Sequence, residues 1–301
     1  MDESLNCELL NQKLLQEPIT IQTTALGDRM KQYENIHNSK IPTEHYYIIR
    51  LDGKNFSKFT KGFKKPFDSN FVRAMNNTQI DLLNKFNANT SYSHSDEITL
   101  IFNKCDVNLR QKHMFDGRIQ KIISCVASYC SVRFNYHLNN IINNSEHKNE
   151  YPIKLLKIIE SYEQIFDGRI LSFENKNEIT NHQIWRSVHD CNRNAILTYG
   201  HAFYSHSELH HKNCTEIIEM LKKHNINWSD IPLHIKHGIY CKKILYDLQT
   251  IEQHTNKEIT CKRTKVISKA FKIEFSEEIT NLLINSYWND EIFNVGAEYN
   301  I

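Results

Sequence analysis

Runs of apolar residues between positions 45 and 173 change their spacing in a way that predicts the element order β-α-β-β-α-β. The predicted elements are a strand at 45–51, a helix at 68–86, strands at 90–94 and 97–103, a helix at about 111–137 and a strand at 165–173. This is the ferredoxin-like order, in which the first strand and the hairpin lie side by side in one sheet. We therefore expect an α+β fold with this core and a helical C-terminal extension that also contains a few strands.

Acidic residues stand at the ends of two of the predicted strands. Asp52 and Gly53 end the first strand, and Ser95-Asp96-Glu97 forms the tip of the hairpin. Because the predicted topology brings these ends together, we expect Asp52 and Asp96 to meet at one edge of the sheet. One or two carboxylates, completed by substrate phosphates, are a typical protein site for Mg²⁺, and two such ions can assist phosphoryl transfer. Without the topology, both motifs are ordinary turn signals.

The overall composition indicates a soluble globular protein. The 301 residues are 40% hydrophobic and 24% charged, and the mean hydropathy is −0.56. The eight cysteines form no CxxC pair, which favours an intracellular protein with free thiols. The first ten residues contain three acids and no Lys or Arg, unlike a transit peptide or a signal sequence. We expect a cytoplasmic protein with an arm at 1–25, a catalytic domain at 26–175 and a packed C-terminal region at 176–301.

Two basic segments suggest an anionic partner, although the net charge is only +2. Five lysines and no acid lie between Gly53 and Pro66, and the run Lys257–Lys272 contains six basic residues and one acid. The alternative interpretation is that each segment is a solvated loop or strand edge.

Two weaker polar patterns have structural alternatives. His206 and His210 are at helical spacing, but no CxxC or HExxH motif accompanies them, which disfavours a zinc site. Trp185 and Arg186, followed by Asp190, fit a core aromatic residue and a salt bridge.

Several segments together resemble the tRNA-His guanylyltransferase family. They are LGDRMKQYE (26–34), RLDGKNFSKFTKGFKKPFD (50–68), HSDEITLIF (94–102), FDGRI (166–170), WRSVHDCNRNAI (185–196), SHSELHHKN (205–213) and INWSDIP (226–232). The last two resemble the bacterial-type branch of the family. The resemblance spans about residues 26–240 and implies a polymerase-like palm that adds nucleotides to the 5′ end of tRNA, in the 3′–5′ direction. It also implies that ATP or GTP activates a 5′-monophosphate before the 3′-hydroxyl of a nucleoside triphosphate attacks it.

The resemblance also assigns roles to individual residues. It implies that Asp52 and Asp96 hold two Mg²⁺ ions, with the Gly53 carbonyl as a further ligand and Glu97 as support for the metal site. The residues implied to cradle the triphosphate are Asp52, Gly53, Lys54, Asn55, Phe56, Ser57 and Ser95. Lys65 and Asp68 match a Lys-Pro-x-Asp element near the nucleotide, and Arg118 and Lys121 match basic positions that face the activated 5′ end.

Two departures from the family pattern bear on the task of the enzyme. Members dedicated to tRNA-His have His-Ile-Asn-Asn where this chain has Asn192-Arg193-Asn194-Ala195, a pattern that resembles the branch repairing 5′-truncated tRNAs on a template. Ser57 stands where many relatives have His, which is expected to weaken base or phosphate contacts.

The remaining expectations concern partners and alternative functions. The resemblance implies a tRNA partner, nucleoside triphosphate substrates, no membrane and a homotetramer, with a mitochondrial location as the alternative to the cytoplasm. The alternative functions are G−1 addition to tRNA-His, a tRNA-binding protein without turnover and, more remotely, a nucleotide cyclase.

Overall fold

The computed structural model describes residues 23–251, 257–288 and 297–299, and the predicted arm at 1–25 lies almost entirely outside them. The strands are β1 (Tyr46–Gly53), β2 (Thr90–His94), β3 (Glu97–Phe102), β4 (Phe166–Phe173), β5 (Ile239–Ile251), β6 (Glu258–Ala270) and β7 (Ala297–Glu298). They pair antiparallel in one sheet with the order β4-β1-β3-β2-β5-β6-β7.

The helices pack on both faces of this sheet. They are α1 (Thr23–Ile36), α2 (Phe56–Phe59), α3 (Ser69–Phe86), α4 (Ile119–Asn143), α5 (Ile153–Glu160), α6 (Asn177–Gln183), α7 (Asn192–Phe203), α8 (His206–Leu209), α9 (Cys214–Lys222), α10 (Leu233–His237) and α11 (Glu277–Ile284). A π-helical segment, Ile184–Cys191, connects α6 to α7.

The first four strands and the two long helices form the predicted ferredoxin-like core. Tyr47, Ile49 and Leu51 alternate along β1 toward the face covered by α3 and α4, where they enter the larger buried cluster. The carboxylate of Asp68 accepts hydrogen bonds from two backbone amides of the first turn of α3 and so caps this helix. The α+β prediction is therefore confirmed.

The second long helix differs from its predicted boundaries of 111–137. Phe115, Asp116 and Gly117 have positive φ angles, so the α-helical geometry cannot begin before them. A Cβ at Gly117 would lie 2.8 Å from the carbonyl oxygen of Ile41, so the chain turns tightly there. The helix then continues to Asn143, beyond its predicted end at 137.

The C-terminal region covers the opposite face of the sheet. Tyr46, Ile48 and Tyr92 point to this face and pack with Tyr240, Phe271 and residues of α11 in a second buried cluster. The predicted strands of the tail are present as β5 and β6, and β5 extends the sheet by pairing with β2.

The two C-terminal strands form a long ribbon that reaches beyond the rest of the sheet. β2 pairs only with residues 239–241 of β5, whereas β5 and β6 pair with each other as far as Ile251 and Glu258. Because the sheet continues from β2 into β5, the predicted domain boundary at residue 175 stays a prediction. No helix within the described residues is both long and apolar enough to cross a membrane.

Candidate active site

The end of β1 and the tip of the β2–β3 hairpin meet at one edge of the sheet. The backbone amide of Gly53 donates a hydrogen bond to the backbone oxygen of Asp96 at 3.1 Å. Asp52 is the register partner of Glu97 on β3 and of Asp167 on β4. The structure therefore brings Asp52, Gly53 and Asp96 together, as the topology argument expects.

Local backbone geometry holds these residues in place. Ser95 and Asp96 form a two-residue hairpin loop in which Ser95 has φ 49°, a conformation that a non-glycine residue adopts only rarely. The Ser95 hydroxyl donates to the Asp96 carboxylate at 3.1 Å. A Cβ at Gly53 would lie 2.5 Å from the ring of Phe56, so this position requires glycine. Backbone strain of this kind is often found at functional sites.

The two aspartates have no direct ion pair in the described part of the chain, although Arg50 and Arg169 lower the pKa of Asp52 in part. Within the described residues neither Asp52 nor Asp96 forms an ion pair with Lys, Arg or His. Burial raises the pKa of Asp96 to about 6, and the neighbouring charge of Asp52 adds to the rise. Burial, followed by the charge of Glu97, also raises the pKa of Asp52. Such an arrangement favours either protons or an external cation.

These residues fit a divalent metal ion by their donor chemistry. Carboxylate oxygens are the hard ligands that Mg²⁺ prefers, and the ion usually retains water and binds substrate phosphate as well. The described part of the chain contains no cluster of three or more His, Cys, Asp or Glu side chains arranged for metal binding. A site with two protein carboxylates is therefore incomplete until a phosphate ligand binds, as expected for Mg²⁺ with a nucleotide.

Glu97 lies beside the aspartates in the register but has a different environment. Its carboxylate accepts a hydrogen bond from Nε of Arg186 at 2.9 Å and a second, shorter one from Nη2. Nε of Arg50 is 3.9 Å away. Glu97 is predicted to support the metal site, but in the structure its carboxylate already forms an ion pair with Arg186.

The segment after Gly53 leads from the same edge into a short helix. Asn55 has φ 61° and precedes the short helix α2, whose first amides have no intrahelical acceptor. Lys54 and Ser57 are exposed, whereas Phe56 is buried against the rings of Phe134 and Phe166. Phe56 can therefore contact a nucleotide only through its backbone.

A pocket opens next to the hairpin loop and includes the basic loop. It has a volume of about 160 Å³ and contacts Ser95 at one end and Lys65 and Asp68 at another. The Asp68 carboxylate is buried by its capping role and by a hydrogen bond from the Tyr151 hydroxyl at 3.0 Å. Nζ of Lys65 donates to the Thr60 carbonyl at 3.1 Å. The pocket therefore extends from the predicted Lys-Pro-x-Asp element to the hairpin loop, although neither Asp52 nor Asp96 lines it.

Arg118 and Lys121 lie at the start of α4. This part of the chain is hydrogen-bonded to Ser39 and Ile41, and Lys121 contacts the ring of Phe115. Further along the same helix, Ile123 lies over Gly168, the register partner of Leu51, so α4 runs past the strand position next to Asp52. The role of Arg118 and Lys121 at the activated 5′ end stays a prediction.

Sequence reasoning missed several residues around the site. The predicted pair of Arg186 and Asp190 is present at 2.6 Å, but Trp185 is 49% exposed and is not a core residue. The hydrogen bond from Arg186 to Glu97 joins residues 89 positions apart, and no local sequence pattern predicts it. His94, at the end of β2, is buried, and this burial lowers its pKa to about 3.

Comparisons with known proteins agree with this geometry. The family model described as tRNAHis guanylyltransferase matches residues 27–174. A protein of Acanthamoeba polyphaga mimivirus, named uncharacterized protein R259, is 40% identical over 271 residues, which cover 87% of this chain and 90% of the viral protein. The tRNA(His) guanylyltransferase of Schizosaccharomyces pombe is 27% identical over 278 residues, 88% of this chain and 95% of the yeast protein.

A solved structure shows the same similarity in three dimensions. A bacterial tRNA(His) guanylyltransferase-like protein in complex with ATP superimposes with a TM-score of 0.61 at 29% identity. The match covers 78% of this chain and 91% of the bacterial chain.

Proposed function

Because the chain belongs to the tRNA-His guanylyltransferase family, whose members are nucleotidyltransferases, we propose that it is a template-dependent 3′–5′ nucleotidyltransferase. Its substrate is the 5′ end of a truncated tRNA, and it adds the nucleotide complementary to the opposite base of the acceptor stem. ATP or GTP first activates the 5′-phosphate.

The convergence of Asp52 and Asp96 at one edge carries this proposal. Phosphoryl transfer requires mainly positioning and neutralisation of charge, and a pair of carboxylates without a protein cation meets that requirement when Mg²⁺ binds. Two Mg²⁺ ions, with the Gly53 carbonyl as a further ligand, would neutralise the triphosphate and the reacting phosphate.

The surroundings of the aspartates support a nucleoside triphosphate substrate. The amides at the start of α2 and the hydroxyl of Ser95 can donate to phosphate oxygens, and the exposed lysines of the basic loop add positive charge. The bacterial relative binds ATP on a fold of the same kind. We propose that the pocket between Ser95 and Asp68 receives the nucleotide.

Two transfers account for one cycle of addition. In the first, a 5′-phosphate oxygen of the tRNA attacks the α-phosphorus of ATP, which forms a phosphoanhydride and releases pyrophosphate. In the second, the 3′-hydroxyl of the incoming nucleoside triphosphate attacks the 5′-phosphorus, loses its proton and displaces AMP. The residues of this chain bind and orient the triphosphate and the 5′ end in both transfers.

The segment Asn192-Arg193-Asn194-Ala195 favours repair over tRNA-His maturation. Asn194 and Ala195 line the pocket, Arg193 pairs with Asp190, and Asn192 accepts a hydrogen bond from the indole of Trp228 at 3.3 Å. The segment therefore borders the proposed nucleotide pocket, and it lacks the His-Ile-Asn-Asn residues of dedicated enzymes. G−1 addition is the second candidate, since the curated relative from Schizosaccharomyces pombe is named for it.

The basic ribbon supports tRNA as the macromolecular partner. Lys257, Lys262, Arg263 and Lys265 are exposed, whereas Lys269 of the same run is buried. Exposed cations on an extended ribbon can contact several phosphates of a helix. We propose that Arg118 and Lys121 contact the activated 5′ end, and that the protein assembles as the homotetramer that the family resemblance implies.

One assay separates the candidates. A tRNA transcript that lacks its first nucleotide and carries a 5′-monophosphate is incubated with Mg²⁺, ATP and each nucleoside triphosphate singly, and 5′ extension is followed on a sequencing gel. Addition of only the nucleotide complementary to the opposite base supports templated repair. Addition of G to tRNA-His regardless of whether A73 or C73 stands opposite indicates G−1 addition. Binding of tRNA without addition of any nucleotide indicates a tRNA-binding protein without turnover.

A further inference from the structure

Two carboxylates on the same face of the sheet as Asp52 form ion pairs with one arginine. Glu97 and Asp190 are both buried, and the guanidinium of Arg186 lies between them. It donates to both oxygens of Glu97 and lies 2.6 Å from an oxygen of Asp190. Arg186 is itself only 8% exposed, so this contact is a buried bidentate pair with a second acid behind it.

This pairing disfavours Glu97 as a ligand of Mg²⁺, because each of its oxygens already accepts a hydrogen bond from Arg186. Mg²⁺ binds oxygen at about 2.1 Å, and both oxygens of Glu97 already face the guanidinium. A dication bound there would approach the charge of Arg186 within about 5 Å, where like charges repel strongly at low effective dielectric. Arg50, 3.9 Å from the same carboxylate, adds to the repulsion.

The same contact controls the position of Asp96. Glu97 is the first residue of β3, directly after the two-residue loop that carries Asp96, and its register partner is Asp52. Without a cation, Glu97 and Asp52 would be like charges directly opposite each other on neighbouring strands, which destabilises the pairing. Neutralisation of Glu97 allows the strands to pair to their ends and therefore holds Asp96 beside Asp52.

We infer that Arg186 is a positioning residue: it anchors Glu97 so that the hairpin loop presents Asp96 beside Asp52, and Glu97 is the anchor rather than a metal ligand. Arg186 belongs to the π-helical segment of the C-terminal region, so this region takes part in building the metal edge. The assignment of the edge to metal and nucleotide rests on the proposed function, whereas the anchoring contact can be tested without activity.

Hydrogen exchange tests the anchoring with a matched control. Arg186 and Arg193 both bind Asp190, but Arg193 is 60% exposed in its side chain and does not touch Glu97. In R186M, amide exchange of the peptide 93–99 should accelerate roughly tenfold or more, because local opening becomes easier. In R193M the same peptide should exchange within about twofold of wild type. Equal exchange in R186M and wild type would overturn the inference. If R186M unfolds throughout, R186K is judged by the same criterion.

Metal binding distinguishes an anchor from a ligand. Mn²⁺ replaces Mg²⁺ as the probe, and electron paramagnetic resonance counts the ions bound in the presence of ATP. E97Q keeps the shape and one acceptor for Arg186, so it should bind as many Mn²⁺ ions as wild type, whereas D96N should bind fewer. Loss of an ion in E97Q equal to that in D96N, with amide exchange of the peptide 93–99 unchanged from wild type, would make Glu97 a ligand and overturn the assignment.

Kinetics adds a measurement that a merely structural role would not change. R186K retains the charge but not the fork, so kcat for 5′ addition should fall roughly tenfold while the KM for nucleotide changes less than about threefold. A kcat in R186K within about twofold of wild type would count against the positioning role. A wild-type protein without any addition would count against the proposed function, while the exchange experiment would still decide the role of Arg186.

Discussion

Two pairs of carboxylates share one face of the sheet, and they differ in how their charge is balanced. Glu97 and Asp190 each contact the guanidinium of Arg186, whereas Asp52 and Asp96 form no ion pair within the described residues. The two pairs are neighbours, since Glu97 is the register partner of Asp52. The difference therefore cannot be explained by location in the fold alone.

The two pairs differ in how their charge is balanced. Glu97 is buried and pairs with Arg186, although burial still raises its pKa. Asp52 and Asp96 are half-buried and lack such a partner, so their raised pKa values favour a bound proton or metal ion. On this basis the chain keeps Asp52 and Asp96 available for an external cation.

The largest expected effect concerns the unbalanced pair. D96N should reduce 5′ nucleotide addition by about 10³-fold or more, because the charge that would hold Mg²⁺ is lost while the side-chain volume is kept. Single-turnover addition to the truncated tRNA measures this loss. D230N, on an exposed turn bonded only to Asn227 and Ser229, is the control and should retain wild-type activity. Full activity in D96N would show that the unpaired aspartates are not needed for catalysis, contrary to the distinction between the two pairs.

Sequence patterns predict the unbalanced pair much better than the balanced one. Asp52 and Asp96 follow apolar strands, and the β-α-β-β-α-β order is sufficient to bring them together. The contact of Arg186 with Glu97 depends on how the π-helical segment packs on the sheet, which no local spacing encodes.

The same reason explains the errors in the fold. α3 was predictable because its cap and apolar face lie within its own residues. The start of α4 depends on the approach of Gly117 to Ile41, 76 positions away, and the start therefore could not be read from periodicity. Trp185 follows an apolar pattern but stacks on Arg186 at the surface.

The second prediction concerns stability in the absence of metal. The pKa of Asp96 is about 6 in the folded protein, against an ordinary value of 3.8. A raised carboxyl pKa means that the folded state binds the proton more tightly, so this stability is present below pH 4 and is lost as the pH rises through 6. The expected loss between pH 4 and pH 7 is about 3 kcal/mol at 1.36 kcal/mol per pKa unit.

Urea unfolding in EDTA at several pH values measures this loss as the difference between wild type and D96N. The asparagine cannot ionise, so D96N should be the more stable protein at pH 7 and should not show this part of the pH dependence. Mg²⁺ added to wild type at pH 7 should recover stability by mass action. If the free energy of unfolding of wild type instead increases relative to that of D96N as the pH rises, Asp96 has a cationic partner.

The third prediction concerns basic residues with and without an acidic partner. Lys262, Arg263 and Lys265 on the ribbon form no ion pair within the described residues, whereas Lys31, Lys212 and Lys222 pair with acids on their own helices or just beside them. Replacing the three ribbon residues by glutamine should weaken tRNA binding roughly tenfold and reduce the slope of log K against log salt by about 2.

The three paired lysines, replaced together by glutamine, form the matched control because the change in net charge is the same. Their variant should bind tRNA within about twofold of wild type, since each lysine is already partnered. Filter binding between low and high salt gives both slopes. Equal effects of the two triple variants would show that net charge, rather than the ribbon, determines tRNA affinity.

The smallest expected effect is at Ser57, beside the unbalanced pair. S57H restores the residue type that many relatives have and adds a cation near the first amides of α2. The KM for nucleoside triphosphate should fall about threefold to fivefold at pH 6, where histidine with an ordinary pKa near 6.5 is largely protonated, and less at pH 8. S57A should change the KM less than about twofold, because the exposed hydroxyl exchanges one partner for water. A KM that is the same in S57H and S57A at both pH values would mean that the amides of Asn55–Ser57, with the metal, suffice for the phosphates. Only the carboxylates would then make nucleotide binding sensitive to charge at this site.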